Sequence, residues 1–404
     1  MTKPVTDTPA SSRRTARGLT LLLASTGVSV TGDGVFIAAA PLMAAALTQE
    51  PAQVAIVTAA GYAAWPLLGL PAGALVDRWP RRAVMVTADL LRALVLVSLA
   101  GLAFSGNLTI SVLAMGVFLV GVGACFFDPA AQAMIPTVVG RDPHVLSKAN
   151  GKIWAADTFG RSLAGPPIGA GLFSLGRAVP FLVDAVSFLV SATLLSRLQS
   201  APTPNRDRAP IASSIRDGVR FLTRHGELRV LTLGMAAYNF GYNISFAPFV
   251  LFALGTLGVS PLGFGVLLAT MALGGIAGGW IAPRVFRVLA ARSAYAMALA
   301  IQSVGWLVVV LSGNAWAAGG ALALVGMAST TVSVIGGTTR QTYSPDELLG
   351  RVVAATRILG IGAAAVGAML GGVVAQFGGI EAPFFVASAL LLSFALMFVP
   401  RRSS

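Results

Sequence analysis

Five aspartates stand inside long apolar stretches in the first half of this chain: Asp33, Asp89, Asp128, Asp157 and Asp184. An ionisable side chain at the centre of a bilayer costs about 3 kcal/mol on insertion scales, so such residues are functional candidates by default. Carboxylates in this setting can bind and release protons. The apolar stretches of the second half contain no acid that we would place deep in a membrane. The sequence therefore predicts that proton chemistry is concentrated in the first half.

Asp33 is the strongest of these candidates. It lies in TGDGVF between Gly32 and Gly34, and no Arg or Lys stands three or four residues away to pair with it. We expect an unpaired carboxylate that exchanges a proton, with a structural hydrogen bond to a neighbouring helix as the alternative. Asp157 and Arg161 are four residues apart and can pair on one helix face. We assign Asp33, Asp157 and Arg161 to proton coupling, and a purely structural Asp157–Arg161 pair stays open.

Two of the other acids have structural interpretations. Asp89 and Arg92 are three residues apart on one predicted helix, and this spacing allows an ion pair. Asp184 stands a few residues inside the predicted outer end of its apolar stretch, so we expect it at the membrane interface rather than in the chemistry.

The composition identifies the class of protein. The chain has 404 residues, of which 56% are hydrophobic and 11% are charged, whereas soluble proteins carry about 25% charged residues. We predict an all-α polytopic membrane protein with twelve transmembrane helices in two pseudo-symmetric six-helix bundles. The predicted spans are 19–47, 52–76, 83–104, 108–137, 151–175, 178–198, 228–255, 261–283, 293–312, 315–342, 351–377 and 382–399.

The basic residues predict the orientation of these spans. The net charge of +13 comes from Lys and Arg in alternate short loops, which is the positive-inside pattern and not a nucleic-acid interface. The outer loops hold only Arg177, so we expect both termini in the cytoplasm of a bacterial cell, with the chain in the inner membrane. The predicted segments are a tail at 1–18, bundles at 19–198 and 228–399, a linker with an amphipathic helix at 199–227, and a tail at 400–404.

The two halves of the sequence resemble each other. GLPAGALVDRWPRR near residue 75 is echoed by GGIAGGWIAPRVFR near residue 280. Internal repeats of this kind are typical of secondary transporters, which bind substrate between the repeats. The chain has no nucleotide-binding P-loop, no HExxH and no nucleophile elbow, so we expect no enzyme activity. With one cysteine and two loop histidines we also expect no metal site and no cofactor beyond an ion gradient.

Aromatic and amide residues cluster in YNFGYNISFAPF, at 238–249. Amides deep in a membrane need polar partners, so this segment predicts the wall of a polar cavity, with ordinary aromatic packing as the alternative. The predicted substrate cavity comprises Phe36, Tyr62, Trp65, Trp154, Tyr238, Asn239, Tyr242, Asn243 and Phe246.

The segment GALVDRWPRR resembles the loop motif of the major facilitator superfamily, Gly-x-x-x-Asp-Arg/Lys-x-Gly-x-Arg/Lys-Arg/Lys. The matching residues are Gly73, Asp77, Arg78, Arg81 and Arg82, and Pro80 replaces the second glycine. We expect Gly73 to let two helices approach closely. The resemblance implies that the loop charges form a gating network with Asp128, which lies in FFDPAAQA, and that this network locks the outward-facing state.

Gly165, Pro166 and Gly169 in GRSLAGPPIGAGL are similar to the antiporter motif of the same superfamily, which is associated with exporters. TGDGVFIAAAPL and the FDPA segment resemble the branch of macrolide-efflux, multidrug-efflux and enterobactin-exporter proteins. Many drug:proton antiporters carry an Arg in span four where this chain has Val117. Because this Arg is absent, we expect Asp33 to have a larger part in proton coupling.

The resemblance implies a monomeric, proton-coupled exporter that expels amphipathic drugs or related metabolites by alternating access, with sodium as the other possible coupling ion. Export of an endogenous siderophore or lipid is the alternative, and a strongly anionic cargo would need Arg161, Arg92 or Arg357 in the cavity. A non-transporting receptor or scaffold is a third hypothesis. Nutrient import is disfavoured by the span-five motif.

Overall fold

The computed structural model describes residues 9–140, 142–198 and 219–398 of the chain. The helices of the first half are α1 (Pro9–Leu47), α2 (Pro51–Val76), α3 (Arg81–Phe104), α4 (Ile110–Val139), α5 (Pro143–Asp157), α6 (Gly165–Leu175) and α7 (Val179–Ser196). Those of the second half are α8 (Gly226–Phe246), α9 (Phe249–Gly255), α10 (Pro261–Val288), α11 (Ala291–Leu311), α12 (Ala315–Tyr343), α13 (Asp346–Gly378) and α14 (Ala382–Phe398).

These helices provide twelve membrane crossings. Within the described ranges, nine helices are long and apolar enough to cross a bilayer, and α14 is a shorter apolar helix. The fifth crossing is composite, because a π-helix at Thr158–Ala164 joins α5 to α6. The seventh crossing consists of α8 and α9. The chain is thus an all-α polytopic membrane protein, as its composition predicts.

The largest differences between the observed and the predicted bounds are at two helix starts. Residues 9–18 were expected in a tail, yet α1 already includes Pro9. The fifth crossing begins at Pro143 instead of residue 151, because the Asp142 carboxylate caps the helix by accepting from the N–H groups of His144 and Val145 at 2.9 and 3.0 Å. Of the predicted linker helix, residues 219–224 are helical. Residues 1–8, 199–218 and 399–404 of the predicted tails and linker lie outside the described residues.

Each half has its own pattern of helix contacts. In the first half α1 packs on α7, α6 and α4, and α3 packs on α4 and α7. In the second half α10 packs on α12, α11 on α12 and α14, and α8 on α13. The halves meet where α2 contacts α13 and where α6 contacts α10.

The contacts between the halves concentrate at one end of the molecule. We call the end at which α1 begins the terminal end, and the end at which α1 passes to α2 the distal end. Near the distal end, Ala55 and Ala59 of α2 form a buried cluster with Ala247 and Ala368. Small side chains allow this close packing of helices inside a membrane. The halves are therefore in close contact near the distal end.

Candidate functional site

The site is built on the irregular segment of the fifth crossing. The N–H of Gly165 donates to the carbonyl of Gly160, five residues earlier, and this bond defines the π-helix. Pro166 and Pro167 follow directly. Because proline has no N–H, neither residue can form the usual bond to the carbonyl four residues back, and the turn widens. Single π-helical turns occur frequently at functional sites.

The widened turn lies directly against the backbone of α1. A side-chain carbon added to Gly34 would lie 2.6 Å from the carbonyl oxygen of Arg161, and one added to Gly165 would lie 2.5 Å from the Cα of Gly34. Gly169 is equally close to the α1 backbone, and Pro166 is buried beside it. The three residues of the antiporter motif therefore lie at the tight contact between α1 and the fifth crossing.

Arg161 extends from the π-helix between two carboxylates. Its Nη1 lies 2.9 Å from Oδ2 of Asp33, and its Nε donates to Oδ1 of Asp157, also at 2.9 Å. The predicted Asp157–Arg161 pair is confirmed. The expectation that Asp33 is unpaired is wrong, because its partner comes from another helix and not from a neighbouring turn. Asp33 is 15% exposed and Arg161 32% exposed, so the cluster remains accessible from the cavity.

The cluster lines a polar cavity that extends from it towards the terminal end. This cavity has a volume of about 710 Å³, and Asp128 lines it together with Asp33, Asp157 and Arg161. Asp128 interacts electrostatically with Arg161. With all four groups ionised, three acids and one base give this wall a formal charge of −2. Such a wall favours a cation or protons over an anion.

An aromatic cavity adjoins the cluster on its distal side. It has a volume of about 470 Å³, and the predicted residues that line it are Phe36, Tyr62, Trp65, Tyr242 and Phe246. Trp154 lines a third space, of about 300 Å³, which also contacts Tyr242 and Phe246. Tyr242 and Phe246 stack with their ring centroids 5.1 Å apart. Six of the nine predicted cavity residues therefore face these spaces, and their contact with substrate stays a prediction.

The other three predicted cavity residues lie behind the aromatic wall. Asn239 donates to the carbonyl of Met235 at 2.8 Å, and Asn243 donates to the carbonyl of Asn239 at 2.9 Å. Tyr238 stacks on Tyr242 and is 5% exposed. None of the three lines the polar, the aromatic or the third cavity. The two Asn amide groups donate to carbonyls one turn back on their own helix, and contact of these residues with substrate stays a prediction.

The arginines of the loop motif bond within the first half. Arg81 Nη1 donates to the carbonyl of Ala133 at 2.8 Å and to Thr137 Oγ1 at 3.0 Å. Both acceptors lie on α4 beyond Asp128, nearer the terminal end, and Asp128 itself faces the polar cavity. Arg81 is therefore not paired with Asp128 in this conformation, because its acceptors lie further along α4 than Asp128. The network of the loop charges with Asp128 in the outward-facing state stays a prediction.

Gly73 does not mediate a close helix contact, contrary to the sequence-based expectation. A side-chain carbon at this position would meet no atom within 4 Å. Its carbonyl accepts from the N–H of Asp77 at 3.1 Å. Arg78 is exposed, and Arg82 Nη1 donates to the carbonyl of Leu198 at 2.9 Å. The loop is thus a turn fastened to the first half.

Arg92 has contacts beyond its pair with Asp89, which the three-residue spacing did not predict. Its Nη1 lies 3.8 Å from Oδ1 of Asp89, so the predicted pair is present, although at a long distance. Its guanidinium carbon lies 5.2 and 5.1 Å from the ring centroids of Phe127 and Phe188. Arg92 also lines the aromatic cavity, as does Val117 of α4. A cation from α3 therefore reaches the cavity wall where α4 has only an apolar side chain.

Asp184 is a buried neighbour of the cluster. Its side chain is 0% exposed, and its Oδ1 accepts from the Ser187 hydroxyl at 3.0 Å. Both side chains lie against Gly32 of α1, the residue before Asp33. The interfacial expectation is wrong because α1 covers this face of α7. A glycine directly before Asp33 was the signal in the sequence that another helix packs there.

The comparisons with known proteins agree with this architecture. The family model described as transmembrane secretion effector, of the major facilitator superfamily, matches residues 18–402. The chain belongs to this family. It is 29% identical over 403 residues to the multidrug efflux pump Tap of Mycolicibacterium fortuitum, covering 96% of this chain and 97% of Tap. It is 28% identical over 392 residues to Tap of Mycobacterium tuberculosis, covering 90% of this chain and 88% of that protein.

A solved structure shows the same fold. A bacterial homologue of the iron transporter ferroportin in the inward-facing state superposes with a TM-score of 0.75. The two chains are 17% identical, and the match covers 95% of this chain and 98% of the homologue. The twelve crossings of this protein therefore adopt the major facilitator fold. The family match and the similarity to the efflux pumps make the chain a multi-pass membrane transporter.

Proposed function

We propose that this transporter exports amphipathic compounds from the bacterial cytoplasm in exchange for protons. One observation carries the proposal: Asp33, Arg161 and Asp157 form a partly exposed charge cluster at the junction of the polar and aromatic cavities. The similarity to two proteins named multidrug efflux pump Tap supports export of drugs as the direction and cargo.

The geometry suggests how a proton and a substrate would exclude each other. Asp33 pairs with Arg161 across the contact of α1 with the π-helix. A proton on Asp33 removes the charge that holds Arg161, and Arg161 then keeps Asp157 as its partner. A cationic substrate in the cavity instead stabilises Asp33 in its ionised form. The site thus carries either a proton or a cation, and this alternation is the requirement for antiport.

The charge of the site favours cationic and neutral cargo over an anionic siderophore. Arg161 is engaged by two carboxylates, and Arg92 is 2% exposed beside Asp89. The aromatic rings of the adjoining cavity suit the apolar part of an amphipathic compound. Lipophilic cations are therefore the substrate class that the site fits best.

The motion would be a rocking of the bundles at 19–198 and 228–399 about this site. With both termini in the cytoplasm of a bacterial inner membrane, the polar cavity that extends towards the terminal end would face inward. The loop residues Asp77, Arg78, Arg81 and Arg82 would then close this end in the outward-facing state. All of these elements belong to one chain, so a monomer would be sufficient.

The test is substrate accumulation by the purified protein in proteoliposomes. An acid interior should drive uptake of the fluorescent cation ethidium, with the membrane potential clamped by potassium and valinomycin. Asp33→Asn should abolish the uphill uptake, since the substituted side chain cannot exchange a proton. Glu381→Gln changes an exposed acid in the loop before α14 and should transport as the unmodified protein does. Uptake by Asp33→Asn that still follows the pH gradient, or uptake driven equally by sodium, would contradict the proposal.

A further inference from the structure

One close contact joins the two halves beside the aromatic cavity. The guanidinium carbon of Arg357, on α13, lies 3.7 Å from the ring centroid of Trp65 on α2. A guanidinium at this distance is attracted by the negative face of the indole, and Trp is the aromatic side chain that binds cations best. The contact is therefore a cation–π pair across the boundary between the halves.

The same tryptophan belongs to the aromatic cavity. Trp65 lines this cavity together with Tyr62 and Phe36, and Ile361, one turn after Arg357 on α13, lines it as well. Arg357 itself is exposed. The ring of Trp65 is thus a surface of the cavity that a bound molecule could reach once Arg357 moves away.

Arg357 has no carboxylate partner at ion-pair distance among the described residues. It lies near enough to Asp128 of α4 for an electrostatic interaction, but not at ion-pair distance. A cation that is held by an aromatic face alone is easier to displace than one in a bidentate ion pair.

We propose that the face of Trp65 is a cation-binding subsite of the cavity, which Arg357 occupies in the substrate-free protein and from which a cationic aromatic substrate displaces it. Arg357 is then a competitor built into the chain. It lowers the affinity of the cavity for cations and leaves the affinity for neutral compounds unchanged. The choice of substrate class rests on the proposed function, whereas the competition does not depend on proton coupling.

Equilibrium binding to the purified protein in lipid nanodiscs tests this subsite without any ion gradient. Ethidium serves as the cationic aromatic probe and N-phenyl-1-naphthylamine as the neutral one. Arg357→Gln should tighten ethidium binding about two- to fivefold, as expected from the strength of one cation–π contact. The affinity for the neutral probe should not change. Trp65→Leu should weaken ethidium binding, and Trp65→Phe should weaken it less.

The double variant separates competition at the ring from a general effect of charge. If Arg357 competes for the Trp65 face, Arg357→Gln should give no gain in ethidium affinity in the Trp65→Leu background. A gain that persists there would show a long-range charge effect and overturn the proposal. Unchanged or weaker ethidium binding by Arg357→Gln would overturn it as well. Because no transport is measured, failure of the subsite and failure of proton coupling at Asp33 are distinguishable.

Discussion

In the first six crossings a partly buried ion pair joins two helices, whereas hydroxyl groups and aromatic rings join helices of the last six. In the first half Asp33 and Arg161 pair between helices. In the second half Ser303 and Ser388 each donate to the backbone carbonyl of the other, at 2.7 and 3.0 Å. The ring of Trp306 packs edge-on against Tyr242, with centroids 5.8 Å apart.

The difference suggests that the two similar halves of the transporter have different roles, one in proton coupling and one in substrate binding. A buried ion pair is a poor source of stability, since the cost of removing both charges from water offsets their attraction. Under the proposed function, the pair in the first half serves proton coupling instead of folding. Hydroxyl and aromatic groups stabilise helix packing and stay uncharged during transport. The second half can therefore provide a substrate-binding surface whose charge does not change.

The largest effect is expected when the charge cluster loses its only base. Arg161→Gln leaves Asp33 and Asp157 facing each other without a cation, and removing one member of a fully buried pair costs about 3–5 kcal/mol. Because Arg161 is 32% exposed, we expect a smaller loss of about 2 kcal/mol together with loss of proton-driven transport. Thermal unfolding of the purified protein measures the first effect. Arg177→Gln, in the exposed turn before α7, is the matched control, and an equal loss there would contradict the comparison.

The contact that brings the cluster together should be nearly as sensitive. Gly165→Ala places a carbon against the α1 backbone, and overpacking of this kind costs about 1–3 kcal/mol. Since α1 must move away, the Asp33–Arg161 pair should lengthen and transport should fall. Gly151→Ala, where a side-chain carbon would meet no atom within 4 Å, should be neutral or slightly stabilising. Equal thermal stability of the two variants would show that the contact of Gly165 with α1 is not tightly packed.

A change in the second half should alter substrate recognition and leave proton chemistry intact. Tyr242→Leu removes an aromatic surface shared by two cavities, and we expect the KM for ethidium to rise about two- to tenfold. The dependence of ethidium transport on the pH gradient should be the same in this variant as in the unmodified protein. Trp316→Leu, at a side chain that is 91% exposed, controls for general loss of an aromatic ring. A changed pH dependence in Tyr242→Leu would contradict the division between the halves.

The smallest effect is expected at the ion pair of the second half. Arg292 contacts both carboxylate oxygens of Glu227, at 2.9 and 3.1 Å, but both side chains are 41% exposed. Exposed pairs contribute about 0–1 kcal/mol, so Arg292→Gln should lower stability by less than Arg161→Gln and leave transport intact. If the two variants lost equal stability in a thermal unfolding experiment, the contrast between buried and exposed charge would fail.

The sequence predicted the crossings and the local pairs but not the contacts between distant helices. Hydropathy and length were enough for the helices, and the four-residue spacing was enough for the Asp157–Arg161 pair. The partner of Asp33 was missed because it depends on how α1 packs on the fifth crossing. Pro166 and Pro167 were visible signals of the widened turn there. The depth of Asp128 and the open space beside Gly73 depend on the conformation, which local spacing does not encode.

Proton release on substrate binding is the most direct test of the claim that the first half carries the coupling proton. Ethidium is added to the purified protein in weakly buffered solution with a pH-indicator dye, and the protons released for each bound ethidium are counted. When the experiment starts at a pH acid enough to protonate Asp33 and break its pair with Arg161, we predict release of about one proton by the unmodified protein and by Glu381→Gln, and none by Asp33→Asn, because a bound cation and a proton at Asp33 exclude each other. No release by the unmodified protein, or equal release by Asp33→Asn, would contradict the account.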